Sequence, residues 1–199
     1  MTKIAVVYYS STGNTHQLAQ AVAEGAEEAG AEVRLRRAPE TAPDAAVDSN
    51  PAWRANLDAV ADVPIAEPGD LEWADGYAFG TPTRFGTPSA QLKSFIDSLG
   101  PLWATGKLAD RGATAFTSAQ NTHGGNESTI LTLFNVFSHF GAIIVPPGYT
   151  DPLLFAAGGN PYGTSAPSAG NADAASAEAL AAARYQGRRL AEISAKLTA

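Results

Sequence analysis

Six residues near the start of the chain carry no charge, yet their types and spacing suit an anion: Ser10, Ser11, Thr12, Gly13, Asn14 and Thr15. They lie in "YYSSTGNTHQLAQAVAEGA", residues 8–26, between an apolar strand-like run and a helix-like one. A helix start presents unpaired N–H groups and about half a positive charge. Four hydroxyls and the Asn14 amide add donors, and Gly13 lets the backbone approach a ligand closely. A phosphate dianion fits such a seat without a lysine. The patterns G-x-x-x-x-G-K-[ST] and G-x-G-x-x-G are missing at this strand end, so a monophosphate ester is expected rather than a triphosphate or a dinucleotide. An ordinary Ser/Thr cap on a strand-to-helix turn would use the same residue types.

A second strand end favours the ligand reading. "GTPTRFGTPSAQLK", residues 80–93, is again a tight turn with exposed hydroxyls, and it carries Thr83, Arg84 and Phe85. A guanidinium beside an aromatic ring suits an electron-rich, anionic ring edge, although a surface cap or ion pair is the plainer use of Arg84. A third polar loop, "TSAQNTHGGNEST" (117–129), brings Ser118, Ala119, Gln120, Asn121, Thr122 and Gly124 to the end of another strand. Together the loops offer a phosphate seat, a platform for a flat heterocycle and an aromatic neighbour. His139, near a helix C-terminus in "FNVFSHFG", can serve as a local dipole partner. Trp103 by itself reads as a core or interface anchor. His16 and His123 read as loop or helix surface. With no cysteine and no H-E-x-x-H spacing, a metal site is not expected. No G-x-S-x-G elbow is present, so a serine hydrolase has no nucleophile site.

These loops need strands and helices to hold them. "KIAVVYY" (3–9) is a continuous apolar run suited to a strand covered on both faces. Residues 14–29 repeat apolar positions at helical spacing and stop at Gly30. "AEVRLRR" alternates and predicts a second strand nearer an edge. "GYAFG" (76–80), "GATAFTSA" (112–119) and "AIIVPPGY" (142–149, cut by Pro146) predict three more strands. Helices are expected over 88–99, with Pro88 at the start and Gly100 past the end, over 127–140, and from an N-cap at Ser176 onward. Strand and helix alternate, which calls for an open parallel sheet with helices on both faces, in one α/β domain over 1–199. Residues 38–70 and 151–175 are long connections of the kind that carry function or partial disorder. Residues 40–66 in particular suggest short helices or a wrap around a neighbour.

The chain has 199 residues, 45% hydrophobic and 17% charged, with a net charge of −7. That is enough for one substantial core, and its acidity disfavours nucleic acid and anionic membranes as partners. The densest basic cluster, Arg34, Arg36 and Arg37, reads as a solvated strand end. The absence of cysteine fits a cytoplasmic protein, the N-terminus lacks a signal-peptide pattern, and no apolar stretch approaches the roughly 20 residues of a membrane span.

Several stretches carry a resemblance to a known family. "YYSSTGNTHQLA" resembles the phosphate loop of flavodoxins. "FGTPTRFGTPSAQLKSFID", "LWATGKL", "SAQNTHGGNEST", "VPPGY", "GGNPYG" and "ARYQG" resemble the WrbA family of NAD(P)H:quinone oxidoreductases, in order and over nearly the whole chain. The resemblance implies a flavodoxin-like three-layer fold with a five-stranded parallel sheet in the order 2-1-3-4-5. It also implies bound FMN, NADH or NADPH as co-substrate, two-electron reduction of a quinone, and a homotetramer. By position, Ser10 through Thr15 would hold the FMN phosphate. Thr83, Arg84 and Phe85 would lie along the ring. Ser118 through Thr122, with Gly124, would form a third wall. His139 would sit at the flavin, reached from a neighbouring subunit, and could pass a proton to the reduced quinone. Trp103 would flank the substrate. Thr12 stands where some members have a tyrosine that touches the nicotinamide nucleotide. Two rivals remain at this level, a flavodoxin-type electron carrier without its own substrate and a non-catalytic FMN-binding scaffold. The long segments 38–70 and 150–175 argue against a simple carrier.

Overall fold

Apolar runs without alternation form the central strands, because both of their faces are covered. In a computed structural model, which describes residues 1–168 and 175–198, β1 (Lys3–Tyr8), β3 (Gly76–Pro82) and β4 (Gly112–Ala119) are almost wholly buried. The alternating strand β2 (Glu32–Arg37) lies at an edge, as its pattern predicts. The sheet is parallel, in the order β2-β1-β3-β4-β5, with β5 (Ile143–Ile144) pairing only the first two residues of β4. Past Pro146 the chain leaves the sheet. It returns as β6 (Ser165–Pro167), which pairs in parallel with Thr117, Ser118 and Ala119 at the other end of β4. The expected fifth strand, 142–149, is thus reduced to Ile143–Ile144, and β6 is an addition to the five strands expected. The part of the excursion from 169 to 174 lies outside the described residues.

Helices cover both faces. α1 (Asn14–Glu28) and α9 (Ala177–Leu197) pack with Ile4, Val6, Tyr8, Ala78 and Phe116 on one side. α5 (Ala90–Asp97) and α7 (Asn126–Phe140) pack with Ala5, Val7, Tyr77, Phe79 and Ala115 on the other. Successive strand residues therefore feed opposite cores, which is why each strand reads apolar throughout. The helix expected from Pro88 begins at Ala90, because Ser89 accepts the Leu92 N–H and acts as its cap. Gly100 opens α6 (Gly100–Ala104) instead of merely ending α5.

The long connection after β2 is built, not loose. It holds α2 (Asp44–Asp48), α3 (Pro51–Ala59) and α4 (Pro68–Trp73). Asn50 caps α3 through the Ala52 and Trp53 N–H groups, and Glu67 with Asp70 forms a capping box on α4. Arg54 ties α2 to α3 by bonding Asp44 and Asp48. The basic trio on β2 is engaged internally. Arg34 and Arg36 pair with Asp70, Arg34 lies 4.1 Å from the Trp73 ring centroid, and Arg37 donates to the Val63 carbonyl.

Candidate functional site

The chain runs from β1 outward to β2 and then back across to β3, so the loops after β1 and β3 diverge. That point of divergence is where open α/β sheets bind ligands. A cavity of about 470 Å³ lies there, at the carboxyl ends of the strands. The loop after β1 lines it with Ser11, Thr12 and Asn14. The loop after β3 adds Pro82, Thr83 and Arg84, and the loop after β4 adds Ser118, Ala119, Gln120, Asn121 and Gly124. All three loops singled out in the sequence therefore meet at one cavity.

The first loop is shaped to leave donors free. Gly13 stands at φ 108°, a conformation glycine adopts without strain, and no described side chain caps α1 behind it. The ordinary Ser/Thr cap is therefore not what this loop forms. Ser10 Oγ instead accepts the Gly13 N–H at 3.0 Å, inside the turn. Thr15 is turned inward, and its hydroxyl bonds Ser118 Oγ at 2.8 Å, joining the first and third loops. Asn14 is buried and lines the cavity, and its Oδ1 has no partner among the described residues. A buried amide oxygen without a donor is costly, so a ligand hydroxyl placed there would satisfy it.

The second loop spans the mouth. Arg84 donates from Nη2 to Ser11 Oγ and from Nη1 to the Thr83 carbonyl, each at 3.1 Å. The Thr83 hydroxyl bonds that of Thr129 at 2.6 Å, which fixes this loop to the start of α7. Arg84 and Thr87 exchange backbone bonds around Phe85 and Gly86, both at positive φ, so Phe85 is lifted fully into solvent. The third loop runs into α7 through Gly125 at φ 91°, again with no described side chain as cap. A β-carbon on Gly125 would stand 2.8 Å from Gly86 Cα, so glycine there lets the second and third loops touch.

Thr122 does not line the cavity, although its carbonyl accepts from Asn126 Nδ2 at the start of α7. Trp103 and His139 lie elsewhere on the chain. They share an open apolar groove of about 430 Å³ between α5, α6 and α7, lined also by Ile96, Val136 and Phe140. The Trp103 indole donates to the His139 carbonyl at 2.8 Å, and both side chains are exposed. Within one chain they do not line the strand-end cavity.

The structure adds lining residues that the motifs did not reveal. Asn50, from the segment after β2, forms part of the wall, and so does Ser168, just past β6. The Asn-Pro pair at 50–51 is a helix-start signal that could have placed Asn50 at an element end. Nothing local marks Ser168; its N–H bonds the Ala119 carbonyl because β6 completes the edge of β4. Beneath the first loop, Tyr8 bonds His16 Nδ1 at 2.6 Å. Burial holds the His16 imidazole below its ordinary pKa, which favours its neutral form beside the Tyr8 hydroxyl.

Comparison with known proteins follows the same lines. Residues 2–151 match the family described as NADPH-dependent FMN reductase. A protein of Deinococcus radiodurans named NAD(P)H dehydrogenase (quinone) is 49% identical over 195 residues, covering 98% of this chain and 96% of its own length. One of Syntrophus aciditrophicus with the same name is 44% identical, with 98% of each chain covered. The solved structure of a flavodoxin-like, WrbA-like protein from Agrobacterium tumefaciens superposes with a TM-score of 0.69 at 27% identity, covering 98% of this chain and 99% of that one. By its sequence match over most of its length and by its fold, the chain belongs to the NADPH-dependent FMN reductase family, among its WrbA-like NAD(P)H dehydrogenases (quinone).

Proposed function

We propose that this chain, acting as one domain over 1–199, is an FMN-dependent NAD(P)H:quinone oxidoreductase of the cytoplasm. One observation carries the reading: α1 begins without a side-chain cap at a cavity rich in hydroxyl and amide donors, at the divergence of β1 and β3. Uncapped N–H groups and neutral donors suit a phosphate dianion, and a buried Asn14 oxygen suits a hydroxylated chain beside it. FMN fits both demands, and when bound it supplies the hydride chemistry that links a reduced nicotinamide to a quinone. The balance is NAD(P)H, a proton and quinone in, NAD(P)⁺ and hydroquinone out.

The protein's part is to bind, orient and supply protons. Ser10 through Thr15 hold the phosphate. Thr83, Arg84 and Phe85 border the ring on one side, and Ser118 through Asn121 with Gly124 border it on another. Arg84 places positive charge where negative charge grows on reduction. Nicotinamide and quinone occupy the same face in turn, so the kinetics are ping-pong. His139 delivers a proton and Trp103 flanks the quinone, both from a neighbouring copy in a homotetramer. Their exposed positions on an apolar groove support that arrangement, since an exposed tryptophan of this kind favours burial against a partner.

The test is a visible spectrum of the purified protein, followed by initial rates with NADH and benzoquinone. A yellow protein with parallel double-reciprocal lines is expected. A colourless protein that gives no heat with FMN in titration calorimetry overturns the reading, and converging lines overturn the shared face.

A further inference from the structure

Glu40, just past β2, is half-buried and touches none of the lining of the strand-end cavity, yet it is the most heavily bonded carboxylate near it. Its Oε1 accepts from the Thr41 and Ala42 N–H groups at 2.9 Å and from Gln91 Nε2 at 2.7 Å. Its Oε2 accepts from the Tyr9 hydroxyl at 2.7 Å and from Trp53 Nε1 at 2.9 Å. Three of these five donors, two backbone N–H groups and an indole, have no acceptor capacity to offer in return. Burial acts to raise the Glu40 pKa, but the bonds from Ala42, Gln91, Tyr9 and Trp53 outweigh it and hold the carboxyl below its ordinary value. The group is therefore charged and accepts only.

The donors come from separate elements of the site. Tyr9 directly precedes Ser10, Trp53 belongs to α3, and Gln91 lies in the first turn of α5, which follows the Arg84 loop. Fixing α3 has a consequence at the anion seat. One turn beyond Trp53, Asn56 Nδ2 donates to the Ser10 carbonyl at 2.9 Å. The same side chain lies against Gly13, its Oδ1 3.5 Å from where a β-carbon there would stand. Asn56 thus spans the turn from Ser10 to Gly13. It also occupies a carbonyl oxygen that would repel an anion if it turned toward one.

We propose that Glu40 is a positioning residue for the anion seat: its carboxylate holds α3 against the first loop, and Asn56 on α3 holds the Ser10–Gly13 turn, inside which the Gly13 N–H bonds Ser10 Oγ, so that the N–H groups of Ser11 and Thr12 face the phosphate. The inference rests on the FMN reading above and adds residues that this reading does not use. It makes a demand that a merely structural Glu40 would not. Loss of the contact should weaken a flavin that carries a phosphate and spare one that lacks it.

The experiment is a flavin-fluorescence titration of apoprotein with FMN and, separately, with riboflavin, for wild type, Glu40→Gln and Asn56→Ala. Glu40→Gln turns an amide N–H toward groups that can only donate, so about a 10- to 100-fold loss of FMN affinity is expected, the range for a charge-assisted bond. Riboflavin affinity should stay within about twofold. Asn56→Ala, a half-buried change, should show the same selectivity at roughly 3- to 10-fold. Parallel losses for both flavins in folded variants overturn the proposal, as does wild-type FMN affinity in Glu40→Gln. Should Glu40→Gln fail to fold, Asn56→Ala decides alone, and unchanged FMN affinity there overturns the proposal. A wild-type protein that binds neither flavin removes the FMN reading itself, and this inference with it.

Discussion

Phe85 is held at φ 53° with its ring fully in solvent, inside a two-residue turn where both central residues have positive φ. Such turns favour Asn and Gly, because a β-carbon meets steric resistance there. An aromatic residue kept at that spot is strain without local benefit, and strain of this kind concentrates at functional sites. Phe85→Asn should therefore stabilise the apoprotein by about 1 kcal/mol, a rise in Tm of roughly 2–4 °C by calorimetry for a chain of this size. The same variant should lose quinone reductase activity, since the ring it removes borders the proposed flavin. A fall in Tm would mean that the ring packs against the protein in solution. The sequence made this residue legible as a site candidate through its place between Arg84 and Gly86, but its backbone strain has no signature in the residue string. Glu40 and Asn56 were illegible for a different reason. Each is a single polar residue in a long connection, and only the packing of α3 brings it to the first loop.

Elements differ in how plainly they announce themselves. β1, β4 and α9 are long and regular enough for their period to register, and the sequence places them within a residue or two. α2, α3 and α4 are too short for a 3.6-residue period, although Pro43, the Asn50-Pro51 pair and Pro68 mark their starts. β6 has three residues and no period at all. It exists because β5 ends early at the Pro146 break and leaves half of β4 open. A close approach of two elements was equally hidden. α1 and α9 cross where a β-carbon on Gly25 would stand 1.8 Å from the Arg184 carbonyl, and one on Gly187 would stand 1.9 Å from the Val22 carbonyl. The two backbones thus meet through reciprocal glycines, which explains the glycine of "ARYQG" by packing. Beside it, Gln186 is buried and bonds Thr114, the Ala115 carbonyl and the Thr164 N–H, tying α9 to β4 and to the strand that follows. Gly187→Ala must part the helices and should cost about 1–3 kcal/mol, seen as a Tm lowered by roughly 3–10 °C. An unchanged Tm would show that the helices have room to spare. Because α1 also begins at the proposed anion seat, its position bears on binding as well as stability.

At the scale of the whole molecule, one chain supplies the lining of the proposed flavin seat and leaves two of the proposed working residues outside it. His139 and Trp103 sit together on the α5–α7 face, linked by the indole bond to the His139 carbonyl, in a groove whose walls are mostly apolar. The family resemblance implied His139 at the flavin, reached from a neighbouring subunit, and Trp103 beside the substrate, whereas the residue string by itself carries no information about which copy a residue serves. The proposed homotetramer reconciles the two placements, with the groove of one copy closing the cavity of another. Trp103 is about half exposed, enough of a large aromatic surface to drive burial between copies. Trp103→Glu would place a charge in that contact, where desolvation without a partner is strongly unfavourable. In sedimentation velocity the wild type should run at four chain masses and Trp103→Glu at one. The dissociated variant should still bind FMN, since every described residue of the seat belongs to one chain, but its quinone reduction should fall by an order of magnitude or more, as expected when a general acid is removed. A wild type that sediments as a single chain with full activity would place proton delivery within one chain and take His139 out of the reaction.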